Sequence, residues 1–197
     1  EAHTAVCHHA FCQQSLHSTT TGSSNIAICK IIMYANTTGV IKTALGLNAL
    51  NRSTTAWGNV AIGREAAYHN ITGTGITVVS TSAGMTGTAP NNMTAIGYVA
   101  LKDNTGIANT AVGAYALTEN TSGLGNTASG YNALNKNTTG CYNAALGTMS
   151  SYYMTTGCWN TGTGTFSLYS NTTGISNTGS GAYALAGNTT GSGNTAV

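Results

Sequence analysis

The chain has 197 residues, a net charge of +2 and only 5% charged residues, against roughly 25% in an ordinary soluble domain. Its carboxylate side chains are Glu1, Glu65, Asp103 and Glu119, too few for paired-carboxylate catalysis. Its six basic residues are scattered and form no cluster that tracks a phosphate backbone, which argues against nucleic-acid binding. No apolar run approaches the ~20 residues of a bilayer span.

Aligned with itself, the chain is a tandem array over residues 1–197. Pentapeptides related to Asn-Thr-Ala-Val-Gly (109–113) start at 8, 25, 42, 59, 76, 93, 109, 126, 143, 160 and 177. Partial units lie at both ends. Every step is 17 residues except one of 16, where a Thr is missing near Thr105. The consensus unit reads N-T-A-(V/I/L)-G-x-x-A-L-x-x-N-T-T-G-x-x. Thr, Asn and Gly are poor helix formers, and no 3.6-residue apolar stripe appears. The pattern predicts an all-β chain: a repetitive β-solenoid or β-roll of about eleven 17-residue coils. At about 4.8 Å per coil, the rod is roughly 55 Å long.

Each coil starts with a strand over the pentapeptide. Positions three and four are adjacent and point to opposite faces. The small Ala column fits a narrow interior, and the Val/Ile/Leu column is left for another chain to cover. Positions eight and nine, Ala then Leu, are expected to repeat that alternation. Glycines at positions five and fifteen mark turns that need positive φ or close approach. The bulky column weakens toward the C-terminus at Ser129, Thr163 and Ser180.

The first coil opens on Cys7-His8-His9-Ala-Phe-Cys12, with His3 and His17 nearby. That density suits zinc, but the spacing matches no standard finger, so no metal site and no cofactor are assigned. Cys12 and Cys29 share column five, and Cys141 and Cys158 share column sixteen. A rung spacing of about 4.8 Å lies inside the disulfide Cα window of roughly 4.4–6.8 Å, so each pair is expected either to staple neighbouring coils in an oxidising compartment or, because parallel Cβ vectors strain the bridge, to stand as a column of free buried thiols. Cys7 is left over for a bond between chains.

Sequons stand at Asn36, Asn51, Asn70, Asn92, Asn120, Asn137, Asn171 and Asn188. All but Asn51 and Asn92 lie in column twelve, which therefore suits either a row of surface glycans or stacked amide ladders. Thr recurs at positions two, thirteen and fourteen. Thirteen and fourteen are neighbours that face opposite ways, so a flat Thr-x-Thr surface is not expected from them. Tyr68, Tyr152 and Tyr169 share column ten and read as scattered surface tyrosines, with an exposed aromatic patch that stacks on sugars or packs between fibres as the alternative.

Units such as Asn126-Thr-Ala-Ser-Gly-Tyr-Asn-Ala-Leu-Asn-Lys-Asn-Thr-Thr-Gly140 resemble the repeats of phage and viral tail-fibre proteins. They also resemble the head repeats of trimeric autotransporter adhesins, whose N-S-V-A-I-G motif parallels Asn59-Val-Ala-Ile-Gly63. The resemblance implies a parallel β-roll built as a trimer on an extracellular or virion surface, and transfers no catalytic residue. The chain begins without Met at Glu1 and stops inside a unit at Val197, as a piece of a longer fibre would. The expectation is a non-enzymatic structural fibre or filament subunit that associates with itself and contacts surface glycans, with a glycan- or ice-binding repeat module as the alternative.

Overall fold

The computed structural model describes residues 8–88 and 90–197. The chain is an all-β solenoid of about eleven turns, and no helix occurs among the described residues. Eleven three-residue strands run β1 His9–Phe11, β2 Ile26–Ile28, β3 Thr43–Leu45, β4 Val60–Ile62, β5 Thr77–Val79, β6 Thr94–Ile96, β7 Thr110–Val112, β8 Thr127–Ser129, β9 Ala144–Leu146, β10 Thr161–Thr163 and β11 Thr178–Ser180. The two-residue β12, Thr195–Ala196, follows. They form one parallel sheet in chain order, each strand paired with the strand one coil on, as in Ala27↔Ala44 and Gly162↔Gly179.

The short step sits between β6 and β7, where Thr94 pairs with Thr110. The missing residue is absorbed in the bend before position fifteen. Asn104 Nδ2 still reaches the carbonyl of Gly106 at 2.8 Å, two residues on rather than three, and the N–H groups of Thr105 and Gly106 both donate to Thr121 O. The strand register on either side is kept.

Position three faces the interior from β2 to β11, as expected for the middle residue of a three-residue strand, while Ala10 in the first coil is exposed. Ala27, Ala44, Ala61, Ala95, Ala111, Ala128 and Ala145 are fully buried, and position four is exposed or half-exposed. Positions eight and nine depart from the expectation, because both face inward. Ala49 and Leu50, Ala116 and Leu117, and Ala133 and Leu134 are all buried side by side. The reason is backbone hand. The residues at positions seven and nine adopt left-handed φ, as at Asn132 (56°) and Leu134 (50°), so this stretch is a winding turn in which neighbours need not alternate.

The two glycine columns serve different ends. At position five φ is about +120° to +140°, as at Gly113 (134°), a region that glycine occupies without strain. Cys12, Cys29 and Ser80 hold the same place at φ 120°, 129° and 127°. At position fifteen the need is space. A Cβ on Gly140 would lie 2.4 Å from Gly157 O and 2.3 Å from Asn137 Oδ1.

The interior therefore has two halves. Positions three, eight and nine make an apolar column of small residues and Leu. Positions one, twelve and fifteen make a polar one, in which Asn side chains replace hydrophobic packing by hydrogen bonds from rung to rung.

Candidate functional surfaces

In the polar half, each position-one Asn donates its Nδ2 to the position-fifteen carbonyl of the next glycine turn: Asn59 to Gly73 at 2.8 Å, Asn126 to Gly140 at 2.8 Å, Asn160 to Gly174 at 2.8 Å. Its Oδ1 accepts the next rung's backbone N–H, as from Asn143 N to Asn126 at 3.0 Å. The position-twelve Asn of the same turn also donates to that glycine carbonyl, as Asn137 does to Gly140 at 3.0 Å, and to the position-twelve Asn before it, as Asn137 does to Asn120. Burying amides this way is sustainable because most of their donors and acceptors are met.

This geometry corrects the glycan row. Asn36, Asn70, Asn120, Asn137 and Asn171 are fully buried and donate through Nδ2, the atom a sugar would occupy. Of the column-twelve sequons only Asn188 is half-exposed. Outside the column, Asn92 is exposed, and Asn51 is half-exposed with its Nδ2 on Ile31 O at 3.1 Å.

Lys42 interrupts the first ladder at position one. It is fully buried, and its Nζ donates to Asn36 Oδ1 at 2.5 Å and to Ser53 Oγ at 3.1 Å. Asn36 and Ser53 are successive position-twelve residues, so the ammonium fills the place of the amide that Ser53 lacks. Burial pushes the Lys42 pKa down to about 7.

Cys12, Cys29, Cys141 and Cys158 carry free thiols. In column sixteen the sulfurs act as acceptors: Cys141 N–H donates to Cys158 Sγ at 3.1 Å, and Leu124 N–H to Cys141 Sγ at 3.4 Å. Cys12 is exposed and Cys29 packs against the core. Cys7 and His3 lie outside the described residues. Among the described residues no cluster of three or more His, Cys, Asp or Glu side chains is placed to hold a metal, and no helix is long and apolar enough to cross a membrane.

The outer face of the sheet is a uniform surface. With position three inward, positions two and four both point outward from every strand. Column four exposes Phe11, Ile28, Leu45, Ile96, Val112 and Leu146. Column two is mostly Thr: Thr43, Thr77, Thr94, Thr110, Thr127, Thr161, Thr178 and Thr195. Neither column contains Asp, Glu, Lys or Arg. The two columns stand about 6.6 Å apart along a strand and repeat about every 4.8 Å across strands.

Of the three threonine columns expected from the sequence, the one at position two lies on this face beside position four, and Thr161-Gly162-Thr163 places two threonines side by side on the sheet. Thr at position thirteen instead turns its hydroxyl onto the next rung's carbonyl, as in Thr121 to Thr138 O at 3.0 Å. The tyrosines of column ten are less scattered than expected: Tyr152 stacks on Tyr169 at 5.7 Å, with Tyr153 packed edge-on to both.

Comparison of the chain with protein-family models, curated proteins and solved structures gives no match.

Proposed function

We propose that the chain is a structural segment of an extracellular or virion-surface fibre, without enzymatic activity, whose sheet face is covered by further copies of the same chain. The observation that carries this reading is the uncharged aliphatic column at position four, exposed along most of the sheet. Exposed apolar patches larger than a few hundred Å² usually mark an interaction surface. A partner must also match a feature that recurs at every rung over twelve strands. A second copy of this solenoid has that rise by construction, so its own column four stays in step along the whole contact. The resemblance to trimeric adhesin heads supports the same arrangement.

Sedimentation velocity on the full chain tests it. The wild type is expected to sediment as a discrete oligomer, and Ile96→Lys, which places a charge in column four of every copy, as a monomer with an unchanged far-UV spectrum. A monomeric wild type would remove the reading.

The threonine row favours a second reading for the same face. β-branched side chains have few χ1 rotamers, so column two is a stiff, regular array of hydroxyls and methyls, suited to an ordered water lattice. Thermal hysteresis of the wild-type solution, lost in Thr94→Lys, is the result that belongs to ice binding and not to a fibre.

A further inference from the structure

Away from the sheet, positions six, seven, ten and eleven also point outward, and in the C-terminal half of the rod they are rich in aromatics. Tyr98, Tyr115 and Tyr131 follow one another on successive coils and meet edge to face, at 5.4 Å and 84°, then 6.0 Å and 89°. Around Tyr115 and Tyr131 the surface carries a shallow, open groove of about 350 Å³, lined also by Tyr152, Asn132, Asn135 and Glu119. That volume lies at the small end of the range for ligand sites.

We propose that this groove is a binding subsite for a neutral oligosaccharide. The chemistry of its walls carries the assignment. In an edge-to-face pair only one face of one ring is covered by the other. The stacked pair Tyr152 and Tyr169, interplanar angle 21°, covers one face of each ring instead. Tyr115 and Tyr131 are also exposed, so the groove offers aromatic surface to the C–H face of a sugar ring.

Planar polar groups lie beside it. Asn135 Nδ2 donates to Tyr115 O at 2.9 Å and to Asn132 Oδ1 at 3.2 Å. Both amides are thereby fixed, which leaves Asn132 Nδ2 as a donor and Asn135 Oδ1 as an acceptor toward the groove. Glu119 is ion-paired with Lys136, so the site has a carboxylate oxygen for hydroxyl groups but little net charge. A charged ligand gains nothing here, and a purely apolar one leaves the amides without partners. A polyhydroxylated, uncharged ring satisfies both halves of the wall.

The position-six and position-seven tyrosines of this site, Tyr131 and Tyr115, are not repeated in the coils that start at 42, 59 and 76. The equivalent positions of the coils at 42, 59 and 76 carry Leu47, Arg64 and Thr81 at position six and Asn48, Glu65 and Ser82 at position seven. It is also separate from the sheet face, so it stands whether or not the chain forms a fibre.

The test is titration of the full chain with cello-, malto- and chito-oligosaccharides, followed by saturation-transfer NMR and calorimetry. At least one series is expected to bind, with saturation transferred to the sugar C–H protons. Tyr131→Ala and Asn132→Gly should each weaken binding by roughly tenfold or more. The glycine variant keeps the left-handed turn at φ 56° while deleting the amide. Thr127→Ala on the sheet should bind as the wild type does. Absence of binding by all three series, or binding by both groove variants as tight as that of the wild type, overturns the proposal.

Discussion

Asn143 Nδ2 donates to the carbonyl oxygen of Gly157, one turn further along the chain, at 2.8 Å. In most coils a position-twelve Asn shares that carbonyl, as Asn137 shares Gly140 with Asn126. Gly157 lacks the second donor because position twelve of its coil is Met154. Asn143 also accepts the Asn160 N–H at 2.9 Å, so it ties three rungs together.

Removing that amide is therefore expected to be costly. Asn143→Leu leaves the buried N–H of Asn160 and the carbonyl of Gly157 without partners, which should lower unfolding stability by about 3 kcal/mol. Asn126→Leu should cost about 1 kcal/mol less, because Gly140 keeps its bond from Asn137 at 3.0 Å. Denaturant titration of the two variants checks the order. Equal losses would mean that the shared carbonyl contributes little.

Lys42 should make stability depend on pH. Burial lowers its pKa from 10.5 to about 7 in the folded chain. Between those values the unfolded chain binds the proton and the folded chain does not, so stability rises as pH climbs from about 7 to 10.5. The penalty is present in full below pH 7 and relieved above, on the order of 5 kcal/mol across the window. Lys42→Asn combined with Ser53→Asn restores the consensus ladder. The difference between the two proteins in urea midpoint against pH isolates the lysine, and parallel curves would show that Lys42 stays charged in the fold.

Two coils exchange a methyl for a hydroxyl across the core. Gly179 and Gly162 stand where position three is otherwise Ala or Val, and Ser167 and Ser150 stand where position eight of the coil before is usually Ala. Ser167 Oγ donates to Gly179 O at 2.9 Å and occupies the space of the missing Cβ, 2.6 Å from where it would lie. Gly179→Ala alone should clash and destabilise, and Gly179→Ala with Ser167→Ala should recover part of the loss, since the new Cβ would still lie 2.9 Å from Ala184 O. A double-mutant cycle is expected to give a coupling of about 1–2 kcal/mol. Additive effects would contradict the exchange.

Ser80 holds position five at φ 127°, where most coils have glycine. Ser80→Gly should raise stability by about 1 kcal/mol, since the strain of a non-glycine residue there is released. A lowered melting temperature would show that the side chain contributes more than the strain removes.

Much of this was legible in the residues, and the reason is periodicity. The Asn-Thr-Ala-Val-Gly motif placed every strand, and the Ala-then-aliphatic order gave the inward and outward sides of position three and position four. What stayed hidden depends on backbone hand. Leu117 and Leu134 reach the interior through left-handed φ at a residue type that gives no sign of it. Asn137 carries a sequon that reads equally as a glycan site or a stacked amide, and only the contacts show that its amide belongs to a buried ladder. The substitutions at Lys42 with Ser53, and at Ser167 with Gly179, were visible as paired departures from the consensus. Only the contacts between coils show that they compensate each other.

Electron microscopy of the assembled chain tests the central claim most directly. If the sheet face is buried between copies, particles should be rods about 55 Å long per chain, with more than one solenoid in cross-section and the sheets turned inward. Single solenoids lying apart, with the Ile96 and Val112 column facing solvent at concentrations where fibres should form, would contradict it.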